Sequence, residues 1–217
     1  MAKAAITITI GNPQLFKKAV NYLKLHDRKL GEIIKTYGML QFTPQGEMFQ
    51  SLVESILGQQ LAPAAASAIT ERVKAIYNDG IIHAQNLYST PIKKLRLAGV
   101  SPQKIRYLRD LSSRVLDGRL DLETLKNKND AELTEKLDEV LGIGPWTVQM
   151  LLIFTLGRSN VLPVDDLGIK KAIQQVYSLR QLPNKEDIQK LAKNWQPYCS
   201  VASLYLWKHK DTLPFRG

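Results

Sequence analysis

Leu141-Gly142-Ile143-Gly144-Pro145-Trp146-Thr147-Val148-Gln149-Met150 decides how this chain is read. A Gly-x-Gly turn separates a helical pattern over Asp130 to Leu141 from a strongly apolar one over Thr147 to Leu156, which predicts a buried helix. Without a Cβ, Gly142 and Gly144 admit unusual dihedrals and let a phosphate come close to the backbone. The amides of the next helix's first turn, around Pro145 to Val148, point at the same anion, and the helix dipole adds to the attraction. Such contacts hold a nucleic acid without reading its sequence. The same glycines also suit a tight helix–helix turn that needs them for steric reasons alone.

Working outward, Leu162-Pro163-Val164-Asp165-Asp166-Leu167-Gly168-Ile169-Lys170-Lys171 places two carboxylates where a new helix begins. Either Asp can cap it. A carboxylate at a helix N-terminus is held ionised, which makes it a poor acid but a good electrostatic stabiliser or base. It suits a transition state that builds positive charge on a sugar ring, as in glycosidic bond cleavage.

The chain has 217 residues, and 30 Lys plus Arg against 20 Asp plus Glu leave a net charge of +10, which favours a polyanionic partner. The basic residues are scattered, so a membrane surface fits less well. Cys199 is the only cysteine, which excludes a disulfide framework, a thiolate zinc site and a four-cysteine cluster. His26, His83 and His209 are far apart and lack metal-ligand spacing, so a catalytic metal is not expected. The apolar run at the N-terminus is too short for a signal peptide and no later run could span a bilayer, so the expectation is a cytoplasmic protein, nucleoid-associated if bacterial, with no membrane partner.

The pattern predicts an all-α protein. Residues 5–10 alternate as one short strand; everything after reads as about ten helices. Asn12-Pro13 opens the first, to about Lys24, and Arg28 to Tyr37 forms the second, ended by Gly38. Glu47 to Gln60 carries Phe49, Leu52, Val53, Ile56 and Leu57 on one face, and Pro63 starts a helix through to Tyr77. Thr90-Pro91 and Ser101-Pro102 each put a capping residue before a Pro and a helical run. Asp166 to Tyr177, Lys185 to Gln196 and Cys199 to Lys208 complete the set.

These motifs resemble the helix-hairpin-helix (HhH-GPD) DNA glycosylases, whose Gly/Pro-rich loop is followed by a catalytic Asp. Phe49 through Ser55-Ile56-Leu57-Gly58-Gln59-Gln60-Leu61 resembles the helix that carries the duplex-probing residue. Leu97-Ala98-Gly99-Val100-Ser101-Pro102-Gln103-Lys104 resembles the segment beside the DNA backbone. Trp195-Gln196-Pro197-Tyr198 and Leu204-Tyr205-Leu206-Trp207 resemble the C-terminal helix of the 3-methyladenine DNA glycosylase II branch. The resemblance spans about residues 45–210. It implies a short form lacking an N-terminal β-domain: one glycosylase domain over 1–217, a helix-hairpin-helix at about 130–157, and lobes of about 45–165 and 1–44 with 166–217. A DNA-binding cleft between the lobes and a monomeric state are the matching expectations.

The resemblance also implies site roles. Bifunctional members carry a Schiff-base Lys where this chain has Trp146, so base removal without AP-lyase activity is expected. The spacing to Ile169 and Lys170 selects Asp166 as the catalytic carboxylate, with Asp165 a cap or secondary contributor. An alkylated purine is already cationic and leaves without a general acid, so the enzyme must flip the base and stabilise the oxocarbenium ion. Trp207, Trp146, Met150 and Phe49 are the implied base pocket, aromatic faces suiting a cationic base; core packing is the alternative reading of each Trp. Gly142, Gly144, Thr147, Gln60, Ser101 and Lys104 are the implied contacts to double-stranded DNA, with Gln60 at the intercalating position or simply a surface Gln on a helix. No redox or organic cofactor is implied, and a monovalent cation at the hairpin carbonyls is neither required nor excluded. The competing readings are a non-catalytic DNA-binding protein and a glycosylase for oxidised or deaminated bases.

Overall fold

The structure is a computed structural model that describes residues 10–210. Apart from Ile10, the expected strand at 5–10 lies outside the described residues; Ile10 itself sits in a turn, its N–H on Gly157 O at 2.7 Å. The described residues form no strand. In chain order the helices are α1 (Pro13–His26), α2 (Arg28–Tyr37), α3 (Met48–Gly58), α4 (Pro63–Lys74), α5 (Ala84–Ser89), α6 (Ile92–Leu97), α7 (Pro102–Leu116), α8 (Leu122–Leu125), α9 (Asp130–Asp138), α10 (Pro145–Met150), α11 (Leu167–Val176), α12 (Lys185–Ala192) and α13 (Cys199–Lys210). No helix among them is long and apolar enough to cross a membrane.

The chain divides into two compact units, Met1–Gln45 with Leu152–Gly217, and Gly46–Leu151. The division falls between Leu151 and Leu152, inside the apolar helical run, and not at the Asp165–Asp166 pair. That run differs from a single α-helix: α10 continues as a π-helical turn over Leu151–Thr155. Met150 to Ile153 are four consecutive residues at most 4% exposed, so this stretch is buried on every side.

In the unit formed by the chain ends, α13 is the centre. Every residue from Cys199 to Trp207 is buried, and α1, α2 and α11 pack around it. Asn12 caps α1, accepting the N–H groups of Gln14 and Leu15 at 2.9 and 3.3 Å, with Pro13 pre-set for the first turn. Phe16, Ala19, Val20 and Leu23 then recur at helical spacing and are all buried. Burying each such Leu, Val or Phe contributes about 1.5–3 kcal/mol.

In the Gly46–Leu151 unit, α7 lies against α3 and α5, and α4 against α3. Helix ends depart from the sequence patterns where local bonding wins. Thr90 does not start a helix: it ends α5, its N–H and hydroxyl both donating to Asn86 O, and Pro91 precedes α6 without a side-chain cap. Helix α3 stops at Gly58, so Gln60 lies in the α3–α4 turn and is not on a helix.

Candidate active site

The hairpin in the Gly46–Leu151 unit is built from both of its flanks. Asn129 and Glu132 form a reciprocal capping box that starts α9, and Val140 and Ile143 anchor the loop, 2% and 4% exposed. Gly142 has φ +81, and a Cβ there would lie 2.2 Å from the Tyr107 ring, so its glycine is required by packing inside the protein. Gly144 is different. Its backbone is extended (φ −111, ψ 176) and a Cβ would meet nothing within 4 Å, so no neighbour in the protein demands glycine there. Leu141 donates its N–H to Asp110 Oδ2 at 2.9 Å, and the same oxygen takes Arg114 Nε at 3.0 Å.

Of the other expected DNA contacts, Thr147 is only 5% exposed, so its hydroxyl is not an outward group; what it can offer an anion is its main-chain N–H in the first turn of α10. Ser101 caps α7, its Oγ accepting the Lys104 N–H at 3.2 Å. Lys104 turns inward: Nζ donates to Leu57 O at 2.6 Å, and burial holds its pKa below the usual lysine value. Its ammonium therefore neutralises the C-terminal carbonyls of α3. Gln60 is exposed and has φ +58, a left-handed conformation that costs a non-glycine residue on the order of 1 kcal/mol. Phe49 is half-buried, Met150 is 1% exposed and Trp146 is 38% exposed.

In the other unit, Asp166 is the N-cap of α11. Its Oδ1 accepts the Ile169 N–H at 2.8 Å and the Trp207 indole Nε1–H at 2.9 Å. The two neighbouring carboxylates are thereby told apart. Asp165 has a side chain 73% exposed, with Lys170 Nζ at 3.6 Å, while Asp166 is half-buried and fixed by a backbone and a side-chain donor. Trp207 has no exposed surface and its ring lies 5.7 Å from Phe154, which in turn meets Phe42 edge-on at 5.8 Å. Trp207 thus donates to Asp166 from a fully buried position, and neither its ring nor Met150 is open to solvent.

A second Asp–Trp pair escaped the sequence reading. Asp27, 7% exposed, lies between α1 and α2; its Oδ1 accepts the Leu30 N–H at 3.0 Å, and its Oδ2 accepts Trp195 Nε1–H at 2.8 Å together with the Tyr177 hydroxyl. Burial, then the bond to Asp27 and its charge, push the Tyr177 hydroxyl far above the usual tyrosine pKa. An Asp directly between two helical patterns was the available signal. Its partners 150 and 168 residues away leave no local trace.

A helix-hairpin-helix followed by a carboxylate set at the start of the next helix defines a class of proteins. This chain belongs to the HhH-GPD superfamily of base excision DNA repair proteins, which it matches over residues 53–197. It is 31% identical over 183 residues to DNA-3-methyladenine glycosylase 1 of Schizosaccharomyces pombe, covering 83% of this chain and 80% of that one. The solved structure of the Schizosaccharomyces pombe 3-methyladenine DNA glycosylase in complex with abasic DNA superposes with a TM-score of 0.81 at 30% identity, over 92% of this chain and all (100%) of that one. A DNA-3-methyladenine glycosidase from Bacillus halodurans gives a TM-score of 0.81 at 36% identity, covering 96% and 94%.

Proposed function

We propose that this protein is a monofunctional DNA glycosylase that hydrolyses the N-glycosidic bond of alkylated purines, of the 3-methyladenine and 7-methylguanine type, in base excision repair of double-stranded DNA. The observation that carries the reading is Asp166: a half-buried carboxylate oriented by the Ile169 N–H and the Trp207 indole at a helix N-terminus. Family membership and the names of the relatives support the substrate class.

In this mechanism the damaged nucleotide leaves the stack, at a cost of a few kcal/mol that an alkylated base lowers. The cationic purine departs without a general acid. Asp166 stabilises the oxocarbenium ion left on the sugar and orients the attacking water, a kind of electrostatic contribution worth about 100- to 1,000-fold. Trp146 stands where bifunctional relatives place an amine, so no Schiff base forms and the strand is left intact. The hairpin grips the backbone through first-turn amides of α10, Gly144 leaving room for a phosphate. A monovalent cation on the hairpin carbonyls is compatible with this: Val140 O and Gly142 O accept N–H bonds at 3.1 and 2.7 Å, and each keeps a second lone pair.

The test is base release from methylated duplex DNA by wild type and Asp166→Asn. Free methyladenine from wild type, lost in the variant while DNA binding persists, supports the assignment of both activity and residue. Tight DNA binding with no base released by wild type would leave a binding protein, or a glycosylase for another lesion.

A further inference from the structure

The α3–α4 turn and the hairpin are joined by one side chain. Gln59 Nε2 donates to Gly142 O at 2.7 Å. Its acceptor is rigid: Gly142 is held at φ +81 against Tyr107, and Leu141 is tied to Asp110. The backbone of the turn is bonded more loosely. Gln59 N–H reaches Ile56 O at 3.4 Å and Leu61 N–H reaches Gly58 O at 3.2 Å, while Lys104 holds only the preceding carbonyl, Leu57 O, at 2.6 Å. The next residue, Gln60, has a left-handed backbone, a conformation that persists only where its surroundings over-determine it. The Gln59 carboxamide is the strong bond closest to it in sequence.

Resting on the glycosylase reading above, we infer that Gln59 is a positioning residue: its carboxamide locks the Gln60 turn to the phosphate-facing hairpin, so that grip on the DNA backbone sets the turn that enters the duplex. Gln59 touches neither base nor sugar in this arrangement. It acts through Gly142 on one side and Gln60 on the other. Phosphate contact and base extrusion then operate as one unit, and breaking the link uncouples them.

Two variants test this. Gln59→Met keeps the length and removes the donor. Gln59→Glu keeps the shape, but its ionised form repels the Gly142 carbonyl while its protonated form donates to it. For both variants, single-turnover release of methyladenine, affinity for undamaged duplex and fluorescence of 2-aminopurine beside the lesion are compared with wild type. The expected result for Gln59→Met is a rate lower by about 10- to 100-fold, a weaker extrusion signal and an affinity for undamaged duplex within about threefold of wild type. For Gln59→Glu, the ratio of variant to wild-type rate should climb as pH falls from about 8 to about 5, because protonation restores the donor. A merely structural role would not give that recovery. Wild-type rates in both variants, a flat pH ratio, or a loss confined to duplex affinity would overturn the inference. Absence of base release by wild type would instead strike the glycosylase reading on which it rests.

Discussion

Asp27 and Asp166 are built from the same parts and are set in different surroundings. Each caps a helix, each gives one carboxylate oxygen to a backbone N–H, and each takes an indole N–H from a fully buried Trp. At Asp27 the indole goes to the second oxygen, a tyrosine hydroxyl joins it, and only 7% of the residue is exposed. At Asp166 the Ile169 N–H and the Trp207 indole both reach Oδ1, and the residue stays half-exposed. A buried carboxylate with its donors in place is a structural joint: it joins α2, the end of α11 and Trp195. An oriented carboxylate that still meets the surface can face a developing cation. Identical capping chemistry therefore does not distinguish structure from catalysis. What differs is exposure, 7% at Asp27 against a half-exposed Asp166.

The largest expected effect separates the two sites. Asp166→Asn keeps an oxygen for Ile169 and Trp207, and Asn caps as well as Asp, so urea unfolding should move by less than about 1 kcal/mol. Its base release should fall about 100- to 1,000-fold. Asp27→Asn should do the reverse. Its amide nitrogen cannot accept the Trp195 indole, and a buried donor left unsatisfied costs about 1–3 kcal/mol in urea unfolding, while the folded fraction keeps its rate. Similar losses of activity in the two variants, with no difference in stability, would end the comparison.

Tyr177 sharpens it through pH. Its folded pKa is raised, so the stability it supplies is fully present below the unfolded tyrosine value of about 10 and is lost as pH climbs beyond it, at up to about 1.4 kcal/mol per pH unit. Burial raises Tyr77 and Tyr205 in the same direction, so the contrast must be with Tyr177→Phe. That variant should lose about 1 kcal/mol at neutral pH and show a shallower decline of the urea midpoint above about pH 10.

The smallest effect carries the contrast between stability and function to Gln60. Gln60→Gly should raise stability by about 0.5–1 kcal/mol by relieving the left-handed strain, while base release falls. Thermal melting and the release assay, run on one preparation, read both. A variant that is no more stable would show that the turn is not strained.

Much of this was legible in the chain. Asn12-Pro13 and Ser101-Pro102 start helices as capping chemistry predicts, because a cap is a local bond between residues two or three apart, whereas at the paired carboxylates the cap is Asp166 and not Asp165. The all-helical architecture followed from the helical patterns along the chain, and the family from the Gly-x-Gly turn and its carboxylates taken together with the motifs at 49–61, 97–104 and 195–207. Boundaries were less legible. Helix α3 ends at Gly58 where its apolar face still pointed onward, and Thr90 closes a helix that the pattern had it opening. The π-helical turn at Leu151–Thr155 left no mark, because an unbroken apolar run has no periodicity to shift.

What the sequence by itself determined is the set of local devices: the caps, the hairpin glycines, the missing amine at Trp146, the net charge of +10 and the pair of carboxylates of which one is expected to be catalytic. Only the tertiary structure decided how those devices are used. It turned Lys104 inward to Leu57, gave Gly142 to Tyr107 and left Gly144 open, set Trp207 on Asp166, and made Asp27 a buried joint with Tyr177 and Trp195. The physical reason is range. A cap or a turn is completed within a few residues, whereas the partner that orients or buries a polar group comes from a distant helix, and its placement is a property of the packed core.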